Sequence, residues 1–442
     1  MFFISEIMFF SSSFPDFFEM KTEFPIRRHA AGACMKSFLT LKSVEEVLAL
    51  IRSFAPLAAE NVPLSEAAGR WLAEDWHAPE DLPGFDRSTV DGWAVHARDV
   101  FGASEAAPAL LECVGGLNMG QQPDLFLEEG QSVRILTGGM MPEGADCVVM
   151  VEHSRPVSDT LVELVRSQAP GDHVILKDDD AARGALLIPA GRCLRPQEIG
   201  LLAALGQVEV PVRRRPRVVI VSTGDELVPC HEKPAPGQVR DVNSHSLAAF
   251  CRAAGAEVKL AGLVRDDIAL LRETIARARE EADVVLVSGG SSAGMRDHTV
   301  DIFTSMPESE LLVHGVAISP GKPFILARSG GRCLMGLPGH VGAALVTARA
   351  FLQPLLLHLQ GGEEKFRPGV RARLTRAMAS AQGRRDYIRV RLSRTEDGWA
   401  AEPILLPSGL MSGLVHADAV VICPENSEGL YAGEEVWAEL LR

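Results

Sequence analysis

Residues 284–300 read "VVLVSGGSSAGMRDHTV", and this stretch decides the fold. Four successive apolar residues, Val284 to Val287, predict a strand buried on both faces, as in a sheet covered on both sides. The chain then breaks into Ser288-Gly289-Gly290-Ser291-Ser292-Ala293-Gly294 and closes on Arg296, Asp297 and His298. Glycines after a buried strand let the backbone approach a ligand and point N–H groups at it, and the next helix adds its positive end. Such a cradle suits a phosphate or another oxyanion. A carboxylate beside it repels that ligand unless a cation such as Mg²⁺ sits between them.

Outward from this stretch, residues 218–360 alternate strands with helices: "VVIVS", "SLAAFCRAAGA", "EVKLAGLV", "IALLRETIARAREEA", "VVLVS", "LLVHGVAIS", "PFILAR", "RCLMGL" and "HVGAALVTARAFLQPLLLHL". The alternation predicts an α/β fold, an αβα domain around a doubly wound, mostly parallel sheet. Ligands of such sheets sit outside the carboxyl ends of the strands. Five unusual loops fall there: Ser222-Thr223-Gly224-Asp225-Glu226, Arg265-Asp266-Asp267, the opening segment, Ser319-Pro320-Gly321-Lys322-Pro323 and Pro338-Gly339-His340. Glu226, Asp266 and Asp297 are the candidate metal-bridging acids, and Lys322 supplies a point charge. Taken singly, each has a plain structural reading: a turn, a helix cap at Ile268, or a solvated lysine. Their shared edge favours a site.

The formal charge of −14 over 442 residues argues against a nucleic-acid or anionic-membrane binder, so an anionic ligand needs local help. Eight scattered cysteines, with no C-x-x-C, fit reduced thiols in a cytoplasmic protein, most of them small core residues. The Phe-rich N-terminus lacks a basic region ahead of its apolar part and carries Glu6, Asp16 and Glu19, unlike a signal peptide. Met20 and Met35 are alternative starts, and residues 1–37 read as a disordered or untranslated extension.

Residues 38–78 read as helical, with Ser43 and Glu46 as a capping box. Residues 79–185 change to short apolar runs broken by Gly, Pro and Asp, a β-rich module. "PVRRRPR" (211–217) forms a basic hinge, and from 366 short alternating strands predict a compact β-barrel or small sandwich. Within the β-rich module, "LPGFDRSTVDGWAVHARD" (82–99) holds Asp86, Ser88 and Asp91, and "RILTGGMMPEGAD" (134–146) holds Thr137. Read alone, these are hairpin loops.

Together "LPGFDRSTVDGWAV", "RILTGGMMPEGADCVVMVE", "STGDEL", "VRDD", "SGGSSAGMRDHT", "SPGKP" and "GLPGH" resemble the molybdopterin molybdenumtransferases, the MoeA-type proteins similar to the gephyrin E domain. The resemblance covers residues 38–442. It implies a homodimer of four-domain subunits: 53–77 with 185–206 as a linker and helical domain, 78–184 as the β-rich module, 38–52 with 207–365 as the αβα domain, and 366–442 as the C-terminal β-barrel. The active cleft would lie between the αβα domain of one subunit and the β-rich module of the other. The implied reaction takes adenylylated molybdopterin and molybdate, hydrolyses the adenylate with Mg²⁺, releases AMP and leaves molybdenum on the pterin dithiolene. Transient contacts with the adenylyltransferase and with acceptor molybdoenzymes follow.

Carried over by position, Asp91, Thr137, Glu226, Asp266 and Asp297 match catalytic or Mg²⁺-linked groups, and Asp180 matches a further acid. Ser288, Gly289 and Gly290 match the pterin or phosphate cradle, and Ser88, Ser222 to Asp225 and Gly294 are further substrate-binding candidates. Lys322 and Pro323, with Arg389 and Ser412, match the molybdate pocket, and Pro320, Gly321, Gly339 and His340 are further substrate-binding candidates. Three places depart from the family pattern. Ser319 replaces a lysine, His340-Val341-Gly342-Ala343 replaces Asn-Pro-Val-Ser, and "VILKDDD" replaces an Arg-rich stretch before Asp180. These allow altered oxyanion affinity or a tungstate preference. His340 either replaces a lost donor or caps its helix, capping being the preferred reading. Rival readings are an adenylyltransferase or competence-damage deamidase relative sharing the "GDE" and "SGG" loops, and a non-catalytic scaffold.

Overall fold

The computed structural model describes residues 41–289, 293–363 and 367–441, with the side chains of 293–297 set aside; the N-terminal extension, Gly290 and the Asp297 carboxylate therefore lie outside the described residues. Helix α1 (Val44–Ile51) opens the described chain, and Ser43 with Glu46 forms the expected capping box. The αβα domain then runs β1 (Arg217–Thr223), α2 (Asn243–Ala253), β2 (Glu257–Val264), α3 (Ile268–Glu281), β3 (Val284–Gly289) and α4 (Ala293–Thr304). It continues through β4 (Ser309–His314), β5 (Ile325–Ser329) and β6 (Arg332–Leu337) into α5 (Val341–Leu359).

These strands form one sheet in the order β2-β1-β3-β6-β5-β4. β1 pairs in parallel with β2 and β3, β3 with β6, and only β5 runs against the rest. The carboxyl ends of β1, β2, β3, β4 and β6 therefore share one edge, which gathers the five loops as expected. Helices cover both faces. Val47, Ile51, Leu247, Phe351 and Leu355 pack on one side, and Leu271, Ile275, Ile302 and Phe303 on the other. Each such fully buried side chain contributes about 1.5–3 kcal/mol. α5 is apolar and long enough to cross a membrane, yet 67% of it is buried inside the fold, as befits a core helix. It relaxes to a π turn over Ala348–Leu352 just ahead of Pro354, which has no N–H to give.

The helical reading of 38–78 holds only for α1. Beyond it, Ala59–Pro63 is a strand, Leu64–Glu66 a single 3₁₀ turn and Trp76–His77 a short strand. Pro56, Pro63 and Gly69 break the helical pattern there. Ala59–Pro63 pairs with Glu209–Arg213, and Trp76–His77 with Leu186–Ile188. Val62, Leu72, Leu202 and Val212 give this layer its own core. Glu209–Arg213, placed by the sequence in the αβα segment, thus pairs within the linker layer.

Between these paired segments sits the β-rich module, a six-stranded sheet carrying Gly92–Val95 next to Gln131–Ile135. At the C-terminus, Gly369–Leu374, Arg385–Thr395, Gly398–Pro403, Ala419–Cys423 and Glu435–Leu440 close into a barrel, since Arg385–Thr395 pairs with both Gly398–Pro403 and Ala419–Cys423. The barrel grips the αβα domain where Ile318–Ser319 runs parallel to Arg385–Asp386. Cys147 and Cys251 are free, and burial pushes both thiols up to about 12. They behave as the small core residues expected of them.

Candidate functional site

Two cavities meet at the shared sheet edge. The first, of about 550 Å³, is lined by Ser222, Thr223, Gly224 and Glu226 after β1, Asp266 after β2, and Ser288-Gly289 at the end of β3. Gly289 has φ +119°, and a Cβ there would stand 2.0 Å from the Thr223 carbonyl oxygen, so no other residue fits. Glu226 folds its carboxylate over Gly224, within 2.9 Å of where a Cβ would be. The Thr223 hydroxyl donates to Asp266 Oδ1 at 2.8 Å, and Asp225 accepts from the Asp266 N–H at 3.2 Å. The adjacent acids thus divide their roles. Asp267 caps α3 through the Ala269 and Leu270 N–H groups, while Asp266 is held over the cleft.

Asn243, at the start of α2, is a site residue that sequence reading missed. Its Nδ2 donates to Ser288 Oγ and to the Gly339 carbonyl, each at 2.8 Å. Its Oδ1 and the Ser222 hydroxyl are buried without a partner among the described residues. Two orphaned polar atoms facing one cleft are costly unless a ligand satisfies them. In the sequence an Asn at a helix start reads as a cap, yet Asp241 does that work, accepting from Ser244 N–H at 3.1 Å.

The second cavity, of about 540 Å³, is walled by Ser319 to Pro323, Pro338 to His340, Arg384 and Ser408. No Asp or Glu lines it among the described residues. Gly321 has φ +129° and packs against Thr347, leaving 2.6 Å for any Cβ, which fixes the loop that presents Lys322. Gly339 and His340 line both cavities. His340 occupies the N-cap position of α5 but makes no capping hydrogen bond. Its Nδ1 instead lies 3.3 Å from the Ser408 hydroxyl of the barrel loop, which corrects the capping reading.

Arg389 lines neither cavity. It is 9% exposed, its Nη2 donates to the Leu406 carbonyl, and its Nη1 has no partner among the described residues. Burial holds its pKa below the ordinary guanidinium value. Ser412, exposed, begins the short helix Ser412–Val415 directly before Gly413, whose would-be Cβ stands 3.2 Å from Arg389 Nη1.

A separate group lies in the β-rich module. Asp91 Oδ1 accepts from both the N–H and the hydroxyl of Thr137, each at 2.7 Å. The Thr137 N–H, with its hydroxyl, holds the carboxyl below the usual range. Ser88 is buried and spends its hydroxyl on the Val90 carbonyl at 2.6 Å, locking the turn. Asp180 is exposed, with its N–H bonded to the Leu82 carbonyl at 3.0 Å. None of these four lines either sheet-edge cavity. Among the described residues no three His, Cys, Asp or Glu side chains converge on a metal position. Glu226 and Asp266 share the first cavity as a pair.

Comparison with known proteins agrees along the chain. Residues 42–206 match the MoeA N-terminal region (domains I and II), 219–358 a probable molybdopterin binding domain, and 371–441 the MoeA C-terminal region (domain IV). A molybdopterin molybdenumtransferase of Nostoc sp. is 39% identical over 312 residues, covering 70% of this chain and 71% of that protein. Molybdopterin molybdenumtransferase 2 of Mycobacterium tuberculosis is 36% identical over 359 residues, covering 79% and 87%. The crystal structure of the molybdopterin biosynthesis MoeA protein from Pyrococcus horikosii superposes with a TM-score of 0.76 at 36% identity, covering 91% of this chain and 99% of that one. Readings confined to the αβα domain leave residues 42–206 and 371–441 unexplained. The chain therefore belongs to the MoeA family of molybdopterin molybdenumtransferases.

Proposed function

We propose that this protein inserts molybdenum from molybdate into adenylylated molybdopterin, with Mg²⁺-dependent hydrolysis of the adenylate and release of AMP, as a cytoplasmic homodimer. The observation that supports this most is the pair of adjoining cavities. One is acidic and glycine-cradled, the other is lined by basic and neutral groups, and Gly339-His340 is their common wall. A substrate carrying a pyrophosphate and a dithiolene, together with a separate oxyanion, needs that division.

The donors fit Mg²⁺, which takes one or two carboxylates and completes its shell with phosphate oxygens and water. Glu226 and Asp266 would hold it, with Asp297 as the further candidate. When bound, the ion neutralises charge on the pyrophosphate oxygens. The chain's own groups do the remainder. Ser222, Ser288 and Asn243 offer polar atoms to the phosphates, Gly289 lets the backbone come close, and Thr223 fixes the Asp266 carboxylate. In the hydrolysis, water adds at one phosphorus and the bridging P–O bond breaks, giving AMP and molybdopterin with its own terminal phosphate. Lys322 presents a positive charge to the incoming molybdate, with Arg389 and Ser412 as family-implied neighbours. Asp91 and Thr137, bonded to each other away from these cavities, suit a role supplied across a dimer. The adenylyltransferase and acceptor molybdoenzymes remain its proposed transient partners.

AMP release from adenylylated molybdopterin, followed against Mg²⁺ concentration, tests this reading. Asp266→Asn and Glu226→Gln are expected to lower the rate on the order of 10–100-fold at fixed Mg²⁺, with most loss recovered as Mg²⁺ rises. Rates independent of Mg²⁺ or of both carboxylates would defeat it. The tungstate alternative rests on Ser319 and His340 in the oxyanion wall, and competition between molybdate and tungstate decides it.

A further inference from the structure

We infer that His340 is a proton-switched cation of the oxyanion cavity, so that this protein binds tetrahedral dianions more tightly as pH falls. The inference deepens the proposed function, because it rests on reading the cavity around Lys322 as the oxyanion site.

Among the described residues, three basic side chains reach this cavity: Lys322, Arg384 and His340. They are not equivalent. Arg384 is already neutralised by Asp386, with its Nε 2.9 Å from Oδ1 and its Nη2 3.1 Å from Oδ2. Lys322 is exposed and has no partner among the described residues, so it supplies one uncompensated charge. A molybdate dianion carries two. The wall holds no carboxylate among the described residues, and its remaining polar side chains, Ser319, Gln382 and Ser408, are neutral. Among the described residues, His340 is the one titratable group left to balance the second charge.

Its geometry suits that role. The residue stands at the N-terminal end of α5, a 19-residue helix whose backbone dipole favours an anion there. Its Nδ1 is tied to Ser408 at 3.3 Å, which orients the ring and leaves Nε2 without a partner among the described residues. Protonation then makes both ring nitrogens donors and adds a full charge at the boundary between the cavities. Charged groups of both signs stand around it. Lys322 and the Arg384–Asp386 pair face it from the oxyanion side. Glu226, Asp241 and Asp266, with Arg240, line the cleft on its other side. A bound dianion favours the protonated ring, and by linkage proton and oxyanion each tighten the other.

The test is calorimetric titration of the full chain with molybdate, and separately tungstate, without pterin, at several pH values. Affinity is expected to rise on the order of tenfold between about pH 8.5 and 6, with proton uptake visible as a buffer-dependent heat. His340→Asn is expected to abolish the pH dependence and keep the weak, high-pH affinity. Ser319→Lys, which places a permanent cation in the same wall, is expected to bind tightly at every pH, with or without His340. Wild-type affinity that does not change with pH, or a His340→Asn variant that follows the wild type, overturns the switch. No binding by wild type or Ser319→Lys at any pH overturns the oxyanion reading of the cavity itself, and the switch with it.

Discussion

At Gly289 the chain turns with φ +119°, and a methyl group there would press on the Thr223 carbonyl at 2.0 Å. Gly289→Ala must therefore part β1 from β3 at the end that carries the site. We expect a loss of about 1–3 kcal/mol in urea unfolding and no detectable AMP release; a variant of unchanged stability and activity would show that the close approach is not needed. Thr223→Val removes the hydroxyl that holds Asp266 at 2.8 Å, and the Mg²⁺ concentration for half-maximal AMP release should rise on the order of tenfold. An unchanged Mg²⁺ curve would mean that Asp266 is positioned by something else. Much of this chemistry was legible in the sequence, because glycine after a buried strand and acid after a strand end are local signals. Asn243 was not. Its partners Ser288 and Gly339 stand 45 and 96 residues away, and no local pattern encodes such a bridge. His340 was legible as a helix N-cap position but not as the partner of Ser408, 68 residues on.

Among the elements, the strands of the central sheet and helices α1, α2, α3 and α5 could be read almost directly, since runs of Val, Ile and Leu flanked by amphipathic helices have few alternatives; α4, after the glycine-rich break, was not delimited. The linker layer could not. Its strands pair across the whole inserted module, Ala59–Pro63 with Glu209–Arg213, so each looks helical or structureless by itself. The helix of that layer, Pro196–Ala204, carries a testable anchor. Glu198 in its first turn is drawn down to about 2, chiefly by the Arg195 side chain, with the Arg195 N–H and Arg192 adding to the effect against the opposing influence of burial. A depressed carboxylate stabilises the fold fully above its unfolded value near 4.5 and loses that contribution as pH falls toward 2. Urea unfolding of Glu198→Gln should therefore lose stability relative to wild type at neutral pH, with the difference closing below about pH 4. Curves that stay parallel through that range would show that Glu198 is not held this way.

For the whole molecule, the informative fact is that Asp91 and Thr137 line neither cavity at the sheet edge, although the family resemblance gives them catalytic or Mg²⁺-linked roles. The proposed dimer resolves this by bringing the β-rich module of one subunit to the sheet edge of the other. Mixing inactive Asp91→Ala and Asp266→Ala proteins should then restore activity to about a quarter of wild type through mixed dimers with one intact site; no recovery from a mixture proven to exchange subunits would place the whole site in one chain. The sequence could announce both halves of the proposed site through its seven motifs, but their relation across a dimer came only from the family resemblance, because symmetry between chains leaves no pattern along one of them. The most direct test of the account is a single-turnover reaction of the full protein with adenylylated molybdopterin, Mg²⁺ and molybdate, in which AMP and metal-loaded pterin are measured together. The account predicts that both appear in equal amounts and that Asp266→Asn suppresses both. Substrate that binds stably to the folded protein yet yields neither AMP nor metal-loaded pterin would contradict it and leave a molybdopterin-binding scaffold.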